Sequence, residues 1–164
     1  PKEIIFENLS FQEITDSISN GLFKKERYYL TLIDDNKQYK ISPFTYTGGF
    51  IREKNALEII KDSIYISVNK FPMTELRQYL KIHFENNGKV EYLSDSYKRA
   101  FIKLVLDKDS DALKLQDLLL QIIKPFNETN IKHKEKINLA IMFVYPLDQM
   151  FSIPPPPSPI TIEK

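Results

Sequence analysis

The stretch FIKLVLDKDSDALKLQDLLLQIIKP, Phe101 to Pro125, decides the fold class. Its first part, an apolar run of Phe101, Ile102, Leu104, Val105 and Leu106, reads as a strand over Arg99 to Leu106 inside a sheet. Its second part places Leu115, Leu118, Leu119, Ile122 and Ile123 on one helical face, from Asp109–Asp111 to Lys124, with Pro125 as the stop. A strand feeding a helix of this kind implies an α+β domain.

The same alternation extends backward from this stretch. Ile64, Ile66 and Val68 alternate with Tyr65 and Ser67 and predict a strand. Pro72 and Thr74 then open a helix over Thr74 to Phe84 whose buried side is Met73, Leu76, Leu80 and Phe84 with Tyr79 and His83, and Asn86-Asn87-Gly88 stops it. A short strand is expected over Lys89 to Leu93. Downstream, the nearly continuous apolar run Ile137 to Tyr145 predicts a last, central strand.

The N-terminal third reads less uniformly. Ser10-Phe11-Gln12-Glu13 has the form of a capping box, and Phe11, Ile14, Ile18 and Leu22 continue it as a helical stripe. Ile4-Ile5-Phe6 before it reads as a short strand. Tyr28 to Ile33 and Gln38 to Ser42, around Asp34-Asp35-Asn36-Lys37, predict a hairpin. Pro43 to Phe50 reads as a loop carrying Gly48-Gly49, followed by a short helix over Asn55 to Lys61.

The expected organisation is one mixed sheet with two to four helices packed on it. Residues 1–62 form an N-terminal α/β extension or subdomain, 63–146 a βαββαβ core and 147–164 a proline-rich tail. At 164 residues, with 42% hydrophobic and 27% charged side chains, the chain suits one folded, soluble domain. The tail carries Pro154, Pro155, Pro156, Pro157 and Pro159, a composition that favours an extended polyproline II conformation. Such a segment serves either as a preformed ligand for an aromatic groove or as a stiff spacer.

Several chemistries lose their basis at this level. The 23 basic and 22 acidic residues nearly cancel, so no net field draws a nucleic-acid backbone. Without cysteine there are no disulfides, thiolate metal sites or cysteine nucleophiles. His83 and His133 stand outside any metal-ligand spacing. Asp107-Lys108-Asp109-Ser110-Asp111 begins like a calcium loop, but Ala112 and Leu118 occupy the places of its glycine and closing glutamate; its aspartates read as a helix cap. The four glycines form neither a dinucleotide fingerprint nor a P-loop, and no Gly-x-Ser-x-Gly elbow occurs. No catalytic residue, metal ligand or cofactor is therefore assigned. Tyr28, Tyr29, Tyr92 and Tyr97 are candidate interface residues.

The run from Ser63 to Tyr145 resembles the periplasmic domain of the ExbD and TolR biopolymer-transport family. The resemblance is carried by the strand Ile64 to Val68, the helix Met73 to Leu80, the strand Phe101 to Asp107, the helix Leu115 to Ile123 and the strand Ile137 to Phe143. The family's proton-carrying aspartate lies in an N-terminal transmembrane helix with no counterpart here, and a loop from Asn127 to Lys136 replaces a glycine often found before the last strand. What the resemblance implies is a partner-binding module of the bacterial envelope, not energy transduction.

The leading expectation is thus a non-enzymatic protein–protein interaction or assembly module, periplasmic or envelope-associated, with a protein partner or a second copy as its ligand. Contact would be made by exposed strand edges and the tail prolines. No run reaches the ~20 apolar residues of a membrane helix; an anchor or leader upstream of Pro1 remains compatible with the chain, as does a cytoplasmic location. The competing expectation is an enzyme or small-ligand binder whose site gathers Tyr46, Arg52, Glu91, Asp95 and Arg99.

Overall fold

The structure, a computed structural model, describes residues 1–147, so Pro154, Pro155, Pro156, Pro157 and Pro159 lie outside the described residues. The fold is α+β, with three α-helices and two sheets in place of the single sheet expected from the sequence. The smaller sheet comprises β1 (Lys2–Glu3), β2 (Tyr28–Asp34) and β3 (Lys37–Ile41). It remains separate because β2 and β3 pair only with each other and with β1, while their inner side chains Leu30, Leu32 and Ile41 join the common buried cluster. The first strand is Lys2–Glu3 rather than Ile4 to Phe6. Ile4 and Phe6 instead face inward as core anchors, with Ile5 exposed between them.

Helix α1 (Phe11–Phe23) starts where the capping box predicts. Ser10 Oγ accepts from the Glu13 N–H at 3.2 Å and a Glu13 carboxylate oxygen accepts from the Ser10 N–H at 2.7 Å. The N–H groups of Phe11 and Gln12 donate to the carbonyls of Ser110 and Lys108, at 2.8 and 2.9 Å. The aspartate-rich loop thus satisfies first-turn donors of α1, groups that no helix can pair internally.

The larger sheet has five strands, β4 (Ala56–Ile60), β5 (Ser63–Ile66), β6 (Asn69–Pro72), β7 (Phe101–Val105) and β8 (Ile141–Val144), in the order β6-β5-β4-β7-β8. β4, β5 and β6 form an antiparallel meander, whereas β7 is parallel to β4 and β8 parallel to β7. Residues 56–60, read from the sequence as part of a helix, are the middle strand. Ala56, Leu57 and Glu58 favour helices, but two ladders with β5 and β7 override that weak preference and bury Leu57 and Ile59 completely.

Further differences have equally local causes. The expected strand over Ser63 to Val68 turns back at Ser67, whose φ of 55° lies in the left-handed region, and continues as β6. Helix α2 (Leu76–Phe84) follows a 3-10 turn over Met73–Glu75. Residues 89–93 make turns instead of a strand, because Asn86 organises them: its side chain accepts from the Val90 N–H at 2.9 Å and donates to the Ser94 carbonyl at 2.7 Å. Helix α3 (Ala112–Glu128), capped by Asp111 through the Lys114 N–H at 2.8 Å, runs past Pro125. There Phe126, 5% exposed, packs its ring 5.6 Å from that of Phe84 and holds the extra turn.

β8 is shorter than the predicted last strand and is flanked on one side only by a named strand. Phe44 takes its outer side: the Phe44 N–H donates to Ile141 O at 3.0 Å and the Phe143 N–H to Phe44 O at 2.9 Å.

Side-chain alternation gives this sheet two unlike faces. Leu57, Ile59, Ile64, Ile102, Leu104, Ile141 and Phe143, each at most 2% exposed, point to the helices. There the ring of Phe143 lies 5.2 Å from Phe11 of α1 and that of Phe71 4.4 Å from Tyr79 of α2. Burial of side chains of this size contributes about 1.5–3 kcal/mol each. The opposite face carries Ala56, Glu58, Ile60, Tyr65, Lys103, Val105 and Val144, all half-buried.

Candidate functional site

The free face of the larger sheet holds a cavity of about 530 Å³. Its floor is supplied by the ladder register, which sets Glu58 of β4 beside Lys103 of β7 and Lys103 beside Met142 of β8. Ala56, Phe101 and Val144 extend that floor. Glu58 and Lys103 form an ion pair of 2.8 Å with side chains 31% and 28% exposed, so the one charged spot on the floor is self-neutralised.

The segment between Phe44 and Glu53 makes the wall. Phe44 is fixed to β8 by its bridge and set edge-on to Phe101, with ring centroids 5.7 Å apart. The chain then turns at Gly48 and Gly49, whose φ of 105° and 97° are open to glycine and strained for other residues. The Tyr46 hydroxyl donates to Gly49 O at 2.6 Å and closes the turn. Phe50, beyond it, is 89% exposed yet lines the cavity mouth with Tyr46 and Ile51. The exposed carboxylate of Glu53 also lines the cavity, and an aromatic rim over a floor with one compensated charge pair and one further acid suits an extended, largely apolar ligand segment or a small amphipathic molecule.

A second constellation is centred on Asp95. Lys54 Nζ reaches Oδ1 at 2.6 Å, Arg52 Nη1 reaches Oδ2 at 3.0 Å, and Arg99 Nη1 stands 3.9 Å from Oδ2. Asn55 donates to the Asp95 carboxylate at 3.4 Å and accepts from the Asp95 N–H at 2.8 Å. The hydrogen bond from Lys54, with those from Asn55 and the charge of Arg52, holds the Asp95 carboxyl below the usual aspartate range. This is a clamp that ties residues 86–99 to the start of β4, and both carboxylate oxygens are engaged.

Asn55 also anchors His83. The His83 Nε2–H donates to the Asn55 carbonyl at 2.9 Å, which leaves Nδ1 bare, and Nδ1 has no partner among the described residues. The imidazole is fully buried, and burial pushes its pKa down to about 4, so it is neutral at ordinary pH. Ser94 donates to the His83 carbonyl and completes the link.

Of the residues expected to form an assembled site, Arg52, Asp95 and Arg99 do meet, Tyr46 lines the cavity, and Glu91 is exposed outside both groups. Among the candidate interface tyrosines, Tyr92 is 58% exposed. Tyr28 is half-buried and donates to Glu26 at 2.7 Å, the Lys40 ammonium stands 4.8 Å from the Tyr29 ring, and Tyr97 packs 5.2 Å from the His133 ring. Sequence reasoning missed Glu58, Lys103, Phe50, Phe101 and Met142 as a group. The available signal was a lone charge in each of two apolar strands, ALEII and FIKLV.

Among the described residues there is no group of three or more His, Cys, Asp or Glu side chains able to hold a metal ion, and no helix is long and apolar enough to cross a membrane. The chain matches no protein family, no curated protein and no solved structure.

Proposed function

We propose that this chain is a non-enzymatic interaction module that docks an extended, largely apolar segment of a protein partner on the free face of its larger sheet. The observation that carries this reading is the cavity itself, an aromatic rim of Tyr46 and Phe50 above a floor of Phe101 and Met142, with the Glu58–Lys103 pair compensated within it and Glu53 at its wall. Peptides held in an extended conformation bind such surfaces with little loss of entropy.

The contact surface moves from the strand edges to the face because the edges are guarded. β6 ends in Pro72, which has no N–H to offer, and carries exposed Lys70. β8 is covered by Phe44, and β3 exposes Lys37, Gln38 and Lys40. The envelope location rests on the resemblance of residues 63–145 to the ExbD and TolR periplasmic domain.

The test is titration of the isotope-labelled chain with short synthetic peptides that alternate proline and aliphatic residues. Resonances of Phe101, Met142 and Val144 should shift, and Phe50→Ala should weaken the effect. No shift at about 1 mM peptide, weaker than ~4 kcal/mol of binding, sinks the reading. The volume also admits a small amphipathic ligand, the competing reading. Saturation of the same resonances by a small molecule and by no peptide would favour it.

A further inference from the structure

We propose that the partner segment docked on the free face carries one basic side chain, lysine or arginine, which pairs with Glu53, and that apolar residues flank that base on both sides. The proposal rests on the docking role argued above and adds the chemistry of the partner. Three observations carry it.

The first is the extent of the site. A second cavity of about 310 Å³, bordered by Ile66, Ser67, Tyr92 and Leu93, shares Glu53, Ala56 and Glu58 with the first. The two are compartments of one groove that runs across the strands from β8 to β5, with Glu53 at the waist. Three inter-strand spacings measure about 14 Å, the span of about four residues of extended chain. A segment lying along the groove therefore sets one side chain in each compartment and another over Glu53.

The second is the charge balance. Glu53, Lys54, Glu58 and Lys103 are the charged side chains that line the groove. Lys103 is taken by Glu58 at 2.8 Å and Lys54 by Asp95 at 2.6 Å. Arg52 and Arg99 also turn to Asp95, at 3.0 and 3.9 Å. Glu53 is exposed, and among the described residues its carboxylate has no ion pair or hydrogen bond. Water solvates it in the open groove. A docked segment displaces that water, and a carboxylate covered by apolar groups without a partner is strongly disfavoured. A ligand that fills both compartments must therefore bring a cation. The three bases around one Asp95 oppose further positive charge beyond the waist, so a single base suits the groove and a basic run does not.

The third is the setting of that carboxylate. Tyr46 and Phe50 stand on one side of the waist and Tyr92 on the other, 56%, 89% and 58% exposed. Aromatic faces attract ammonium and guanidinium groups, and the long stem of lysine or arginine lies along apolar surface while its head stays at the acid.

The test uses the isotope-labelled chain and a seven-residue peptide alternating proline and isoleucine around a central arginine, against the same peptide with citrulline, an uncharged isostere. The arginine peptide should shift Met142 in one compartment and Leu93 in the other, and bind about fivefold more tightly than the citrulline peptide. Glu53→Gln, a surface change that leaves the fold intact, should bring the two affinities within about twofold. Glu91→Gln removes the same charge outside the groove and should leave the preference unchanged. If the unmodified chain binds both peptides alike, or the preference survives Glu53→Gln, the proposal is overturned while docking on the free face stands. A preference lost equally with Glu91→Gln is an effect of net charge and overturns it too, as do shifts confined to Met142, which refute the continuous groove. If neither peptide shifts Met142, the docking role itself fails and the proposal with it.

Discussion

The two faces of the five-stranded sheet are built from alternate residues of the same strands, yet one is sealed and the other is not. On the helix side Leu57, Ile59, Ile102, Leu104 and Ile141 are completely buried and Phe143 meets Phe11. On the other side the corresponding Ala56, Glu58, Lys103 and Val144 are half-buried beneath an aromatic turn. One face therefore holds the fold, and the other is left to chemistry outside the described residues. The difference predicts which substitutions cost stability and which cost binding.

The largest effect is expected from Phe143→Ala, which opens a cavity against α1 and should cost about 3–5 kcal/mol in urea denaturation. A loss under ~1 kcal/mol would erase the distinction between the faces. Next comes acid. His83 is neutral when folded, with its pKa lowered to about 4 from 6.5, so the unfolded chain takes up its proton first. Stability is fully present above pH 6.5 and declines as pH falls toward 4, by about 3 kcal/mol for this group. Replacing it, His83→Phe, should flatten that part of the pH profile relative to the unmodified chain; parallel profiles would refute the assignment.

Smaller changes belong to the free face. In a double-mutant cycle with Glu58→Gln and Lys103→Met, the ion pair should show a coupling of about 1 kcal/mol or less, as expected for a partly exposed pair. A coupling several times larger would mark the floor as part of the stabilising core. Smallest of all, Phe50→Ala should move stability by no more than ~0.5 kcal/mol while reducing peptide-induced shifts at Met142. Loss of stability without loss of shifts would reverse the roles given to the two faces.

Much of the sealed face is legible in the order of residues alone. The Ser10–Glu13 box, the stripe of α3 and the apolar run of β7 all act through local pattern, and each lies close to its expected place. β4 is not legible in this way. Ala56, Leu57 and Glu58 at its start prefer helix, and its middle position depends on pairing with β5 on one side and with β7, a distant segment, on the other. The same non-local register puts Glu58 against Lys103, so the cavity floor was invisible while Arg52, Asp95 and Arg99, chosen as scattered polar groups, did converge. β6 was hidden by a turn that places Ser67, not glycine, at positive φ. Pro125 misled because a proline can sit inside a helix when the turn beyond it is held by packing, here through Phe126.

The middle position of β4 also has a consequence for synthesis on the ribosome. The antiparallel meander of β4, β5 and β6 can close as soon as it emerges, since its partners are neighbours in sequence. The other edge of β4 must wait until α2 and the turns after it have followed and β7 arrives. Pairings so far apart in the chain form slowly. A nascent or truncated chain lacking residues 101–105 exposes an apolar strand edge that the finished protein never shows, and such intermediates are prone to aggregate.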